Sequence, residues 1–120
     1  MEKQEWLDSL QVGDTVVEET TGFSRKNYQI TTVRRITEKR RITTATGSKF
    51  NNFGREIGKD SSRRALLTPL TEKIIATLTR RENLSLISRT NFDSLPNEYV
   101  EKIATIIKEY DLSEKEKSNK

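Results

Sequence analysis

From Tyr28 to Arg64 apolar and polar residues alternate as they do along strands, and from Thr71 onward the apolar period lengthens to that of a helix. A chain that changes period in this way places its strands first and its helices second. The expected class is therefore α+β, with sheet and helices segregated along the sequence.

The strand-like part is divided by turns. Gly13-Asp14 supplies the first, before a strand over Thr15-Val16-Val17. Glu18 to Asn27 is polar around Gly22 and is expected to be a loop. Tyr28, Ile30, Val33 and Ile36 lead to Glu38-Lys39 and then Ile42, which predicts a hairpin turning at Glu38-Lys39. The apolar parity shifts between Ile30 and Val33, as a β-bulge would require. Thr46-Gly47-Ser48 turns the chain again before a strand at Lys49-Phe50. Gly54 to Gly58 is a turn with a short strand, Asp60 to Arg64 a surface loop, and Ala65 to Leu70 the closing strand. Five short strands separated by close turns predict a small barrel of the SH3-like kind.

Residues 1–10 place Trp6, Leu7 and Leu10 at helical spacing, predicting a short N-terminal helix that lays Trp6 on the barrel as a core plug. After Thr71, a natural N-cap, Ile74, Ile75 and Leu78 open a helix that reaches Ile87 with a possible break at Asn83. Pro96 sits in the first turn of a second helix, whose stripe is Leu95, Tyr99, Val100, Ile103, Ile106, Ile107 and Tyr110. The stripe can pack on the barrel, on the preceding helix, or on a second copy as a homo-oligomer through residues 95–110. The expected segments are a barrel with its helical turn at 1–70, a helical pair at 71–112 and a disordered charged tail at 113–120.

Only 32% of residues are apolar, so the core must be small. There is no Cys and no His, which excludes disulfides, thiolate zinc sites and histidine acid–base chemistry. No apolar run approaches the roughly 18 residues of a membrane span and the first residues show no signal-peptide core, so no membrane association and a cytoplasmic setting are expected.

The runs V-G-D-x-V at Val12–Val16, I-T-T-V-R-R-I-T at Ile30–Thr37 and K-F-N-N-F-G-R-E-I-G at Lys49–Gly58 resemble small uncharacterised proteins of bacteriophages and bacterial mobile elements. A looser match is L-P-x-E-x-V-x-K-I at Leu95–Ile103. The resemblance implies an SH3-like barrel of the KOW or Tudor type followed by a polar helical tail, in a bacterial host cell. It lends no catalytic residues. It leaves open action against host defence systems.

Charge is the strongest functional signal. Arg25 to Arg64 contain twelve Lys or Arg against three acids (Glu38, Glu56, Asp60), a local balance of +9. Residues 1–24 hold one Lys and six acids, and residues 65–120 hold nine of each sign. Three Arg pairs stand out: Arg34-Arg35, Arg40-Arg41 and Arg63-Arg64, with Lys49 and Arg55 beside them. In a hairpin the first two pairs are expected to stand across from each other. A guanidinium suits phosphate because its planar fork donates two parallel hydrogen bonds and stays charged. Phe23 and Phe53, each next to Gly or basic residues, are candidates for exposed base-stacking rings, while Tyr28 and Phe50 are expected in the core.

These residues predict a non-enzymatic binding protein whose basic face engages nucleic acid or a signalling nucleotide. The bland alternative is a solvated basic face. The functional alternative is a phage-encoded anti-defence inhibitor or adaptor that meets an acidic host protein with the same Arg residues. No enzyme, metal or cofactor is expected: Glu56 and Asp60 lack the spacing of a metal-binding carboxylate set, and there is no phosphate loop or nucleophile–base arrangement.

Overall fold

The computed structural model describes residues 2–22, 24–58 and 64–118. The element order is α1 (Lys3–Ser9), β1 (Thr15–Thr21), β2 (Lys26–Ile36), β3 (Ile42–Thr44), β4 (Lys49–Phe50), β5 (Leu66–Thr68), α2 (Glu72–Arg89), a 3-10 turn (Phe92–Ser94) and α3 (Asn97–Ser118). The strands form one antiparallel sheet in the order β4-β3-β2-β1-β5, curled into a half-barrel. Isolated bridges Phe50–Glu56 and Arg55–Leu66 span the gap between its edge strands.

Alternation fixes the two faces. Val16, Glu18, Thr31, Val33, Ile42, Thr44, Phe50 and Leu67 are in register across the sheet and buried on its concave side. Leu7 and Leu10 close this core, and Trp6, expected as its plug, packs against it only half-buried. Each fully buried Val, Ile, Leu or Phe contributes about 1.5–3 kcal/mol, so a lean set of eight clustered residues suffices for a small sheet.

Several boundaries differ from the sequence expectation. The polar stretch 18–27 is not a loop: β1 runs on to Thr21 and pairs with β2 from Lys26, because Glu18–Gln29, Glu19–Tyr28 and Thr20–Asn27 continue the ladder. Backbone pairing there does not need an apolar pattern. The bulge falls later than Ile30–Val33. Val33 opposes Thr44 and Arg35 opposes Thr43, so Arg34 is the extra residue. Ile30 consequently faces outward, and Thr31 takes the inward place.

The chain divides into two compact units, Met1–Arg81 and Glu82–Lys120, a boundary eleven residues later than position 70. The first half of α2 belongs with the sheet: Ile74 is buried, and Arg81 donates to the Lys26 carbonyl at 2.8 Å with its guanidinium 5.8 Å from the Tyr28 ring. Tyr28 is therefore a half-buried outer-face residue under Arg81 rather than part of the core. Thr71 caps α2 by accepting from the Ile74 N–H at 3.2 Å, and the helix passes Asn83 without a break. In the second unit α3 continues to Ser118, into the stretch expected to be a disordered tail. Glu and Lys are good helix formers, and Glu114 pairs with Lys117 one turn on at 3.7 Å.

Candidate functional site

The register of the curled sheet brings separated cations into one row. Arg35 on β2 opposes Thr43 on β3, and Thr43 opposes Lys49 on β4. Directly opposed residues share a face, so Arg35 and Lys49 stand on the convex side two strand spacings apart, about 10 Å. The Lys49 carbonyl accepts from the Ile57 N–H at 2.8 Å, which extends the row to Ile57, and the Asn51 N–H donates to the Arg55 carbonyl at 2.9 Å in the next row. Arg35, Lys49 and Arg55 are all exposed.

Two recesses flank the row. The first, about 570 Å³, is lined by Arg35, Ile36, Thr37, Glu38, Lys39 and Arg41. It lies at the hairpin that turns at Glu38-Lys39, closed by the Arg40 N–H donating to the Thr37 carbonyl at 2.9 Å. The second, about 500 Å³, is lined by Lys3, Asn51, Phe53, Arg55 and Leu66. Its shape depends on an Asn turn: the Asn51 side-chain oxygen accepts from the N–H groups of Phe53 at 2.9 Å and Arg55 at 3.1 Å. Gly54 completes that turn at φ +77°, where a side-chain β-carbon would come within 3.2 Å of a Leu7 methyl. Phe53 is left 61% exposed.

The carboxylates of this region turn away from the convex side. Glu18 is buried inside, accepting from Thr44 Oγ1 at 3.0 Å and Thr46 Oγ1 at 2.6 Å. Glu56 is also buried, and its side chain accepts from the Ala65 N–H at 3.0 Å. Glu38, at the hairpin tip, is the carboxylate that remains beside the first recess. Among the described residues no carboxylate forms an ion pair with Arg35, Arg41, Lys49 or Arg55. Such unpaired cations have their hydrogen-bonding capacity available to an anion. Lys26, by contrast, is bonded to Glu19 at 3.0 Å, and that bond raises its ammonium above the ordinary lysine range.

The fold redistributes the candidate residues that the sequence suggests. Arg35, Arg41, Lys49, Arg55 and Phe53 gather on the convex side and its recesses. Arg34 is exposed at the bulge, and Arg64 is exposed on the approach to β5. Phe23 and Arg63 lie outside the described residues. Arg40 is engaged elsewhere, because one of its guanidinium nitrogens lies 2.9, 2.9 and 3.1 Å from the carbonyl oxygens of Leu7, Asp8 and Leu10. It satisfies the end of α1 and is not presented to a ligand. The Arg34-Arg35 and Arg40-Arg41 pairs do not face each other across the hairpin either. The bulge sets Arg35 opposite Thr43, and Thr37 pairs with Arg41 instead.

Lys3, Lys39, Asn51 and Ile57 join the site although no sequence signal marks them. Lys3 comes from another element, with no local pattern to connect it to Phe53. Ile57 becomes readable from alternation once Glu56 is known to point inward. Among the described residues no group of three or more Asp, Glu, His or Cys gathers as it would to hold a metal ion, and no helix is long and apolar enough to cross a membrane. Comparison with family models, with curated proteins and with solved structures gives no match to this chain.

Proposed function

We propose that this chain is a non-enzymatic binding protein, built on an SH3-like barrel, whose convex basic face engages phosphate-bearing ligands, nucleic acid foremost. The observation that carries the reading is the Arg35–Thr43–Lys49 row with Arg41 beside it, its cations without ion pairs among the described residues and the nearby Glu18 and Glu56 buried. The planar fork of each guanidinium is pre-organised for phosphate, and clustered positive charge steers a polyanion toward it.

The test is fluorescence anisotropy of labelled DNA and RNA oligonucleotides between about 50 and 200 mM salt. Affinity should fall steeply with salt, and Arg35→Ala/Arg41→Ala should flatten the slope by about one unit for each phosphate no longer engaged. Flat traces at micromolar protein and low salt would sink the reading.

The α3 helix adds a second feature. Tyr99, Val100, Ile106, Ile107 and Tyr110 are all at least 41% exposed on one stripe, and α3 buries none of its residues. Lys102 and Glu109 flank this stripe with opposite charges seven residues apart, which supports an antiparallel pairing of α3 with a second copy of itself.

A further inference from the structure

We infer that the ligand of the convex face is single-stranded nucleic acid, laid across the strands from the Arg35–Arg41 recess to the Phe53 recess, with a base stacked on Phe53. This inference rests on the proposed phosphate-binding reading and narrows it.

The arrangement of apolar groups among the cations separates single strands from duplexes. Phe53 is 61% exposed and Ile57 is 39% exposed, and both belong to the same turn region as Lys49 and Arg55. A duplex offers this surface only phosphates and groove edges, since its base faces are stacked inside, so an exposed ring would gain nothing. A single strand offers both groups in alternation: phosphates for the cations and base faces for the ring. The Phe53 recess holds the same mixture at close range. It combines one aromatic ring and the apolar Leu66 with the charges of Lys3 and Arg55 and the amide of Asn51. That set suits a nucleobase with its own phosphate.

The geometry also sets the direction and length of the footprint. Arg35 and Lys49 are in one cross-strand row, and Arg55 lies one further spacing along, in the adjacent row. A bound strand therefore crosses the sheet rather than following a β-strand. Its track from Arg35 to Phe53 covers about four nucleotides, the lower end of the range for small barrels. No sequence readout is implied, because guanidinium–phosphate pairs and ring stacking accept any base.

The experiment compares the full chain binding to oligo-dT and oligo-U of two to twelve nucleotides, to a twelve-base-pair duplex, and to mononucleotides, at about 50 mM salt. Phe53→Ala and Phe53→Trp are tested alongside, with folding checked by circular dichroism. The expected result is single-strand binding at least about tenfold tighter than duplex, with affinity rising steeply up to about four nucleotides. Phe53→Ala should weaken it between about five- and one-hundredfold, and the Phe53→Trp indole should be quenched by bound bases. Equal or tighter duplex binding that is indifferent to Phe53→Ala overturns the inference while keeping the phosphate reading. A mononucleotide that binds as tightly as a tetramer does the same. Absence of binding by every probe overturns both.

Discussion

Arg40 reaches back thirty-three residues to donate to the carbonyl oxygen of Leu7 at 2.9 Å, and so ties the tip of the β2–β3 hairpin to the helix that closes the core. The same nitrogen is shared with the carbonyls of Asp8 and Leu10. The last carbonyls of a helix have no partner within it, and a cation there also meets the negative end of the helix dipole. Arg40 itself adopts φ +63°, an uncommon conformation for a residue with a side chain, which these bonds hold in place.

This geometry gives two adjacent arginines different roles. Arg40→Ala is expected to lower stability by about 2 kcal/mol, since it removes charge-assisted bonds to three carbonyls. Arg41→Ala should leave stability within about 0.5 kcal/mol of the parent, as for an exposed substitution, and weaken ligand binding instead. Urea unfolding and anisotropy on both variants decide the matter. An Arg40→Ala protein as stable as the parent would mean the cap is ornamental.

Glu18 is an acid held inside the sheet by hydroxyl donors. Its carboxylate reaches from β1 past β2 and accepts from two threonines, Thr44 on β3 and Thr46 in the turn that follows. Glu18→Ala leaves Thr44, which is fully buried, without that acceptor, and a loss of about 2–3 kcal/mol is expected. Glu18→Gln keeps one acceptor oxygen and should lose less. Equal losses for the two variants, measured by denaturant unfolding, would show that side-chain volume rather than hydrogen bonding matters there.

Gly54 is where the Phe53 turn meets the core. A Cβ at this position would lie 3.2 and 3.3 Å from the Leu7 methyls, and the backbone is at φ +77°. Gly54→Ala is expected to cost about 1–3 kcal/mol from backbone strain alone. Gly47, also at positive φ (+91°), has open space around it, so Gly47→Ala should show the backbone part without the clash. Thermal melts of the pair measure the difference, and a Gly54→Ala variant no worse than Gly47→Ala would contradict the packing account.

Much of this architecture was legible in the sequence because it is local. The turns at Gly13-Asp14, Glu38-Lys39 and Gly47 depend on residues beside one another, and so does the cap at Thr71. The inward course of Phe50 and Ile42 follows from alternation. What could not be read was set by contacts across the fold. Arg40 looks like any member of a basic pair until α1 is placed beneath it. The bulge at Arg34 decides which arginine shares a row with Lys49, and a one-residue shift of that kind exchanges the faces of a strand. Glu18 and Glu56 read as surface acids because the donors that satisfy them lie nine to twenty-eight residues away.

The helical unit carries a seam of its own. On α3, Tyr99, Ile103, Ile106 and Tyr110 recur at spacings of four, three and four, the pattern of a helix that packs on another helix. Lys102 and Glu109 are seven residues apart, hence on the same flank of that seam. In an antiparallel pair of α3 helices centred between them, Lys102 of each copy meets Glu109 of the other. Half-exposed side chains along both stripes supply on the order of 1,000 Å² of buried surface, enough for a specific interface. The chain is therefore expected to run at twice its own mass in multi-angle light scattering at about 100 μM, and Ile106→Glu should return it to a monomer. Lys102→Glu and Glu109→Lys should each weaken the pair through like charges, and the double exchange should restore it. A monomeric parent would end the proposal. A dimer that resists Ile106→Glu would place the contact elsewhere on the chain.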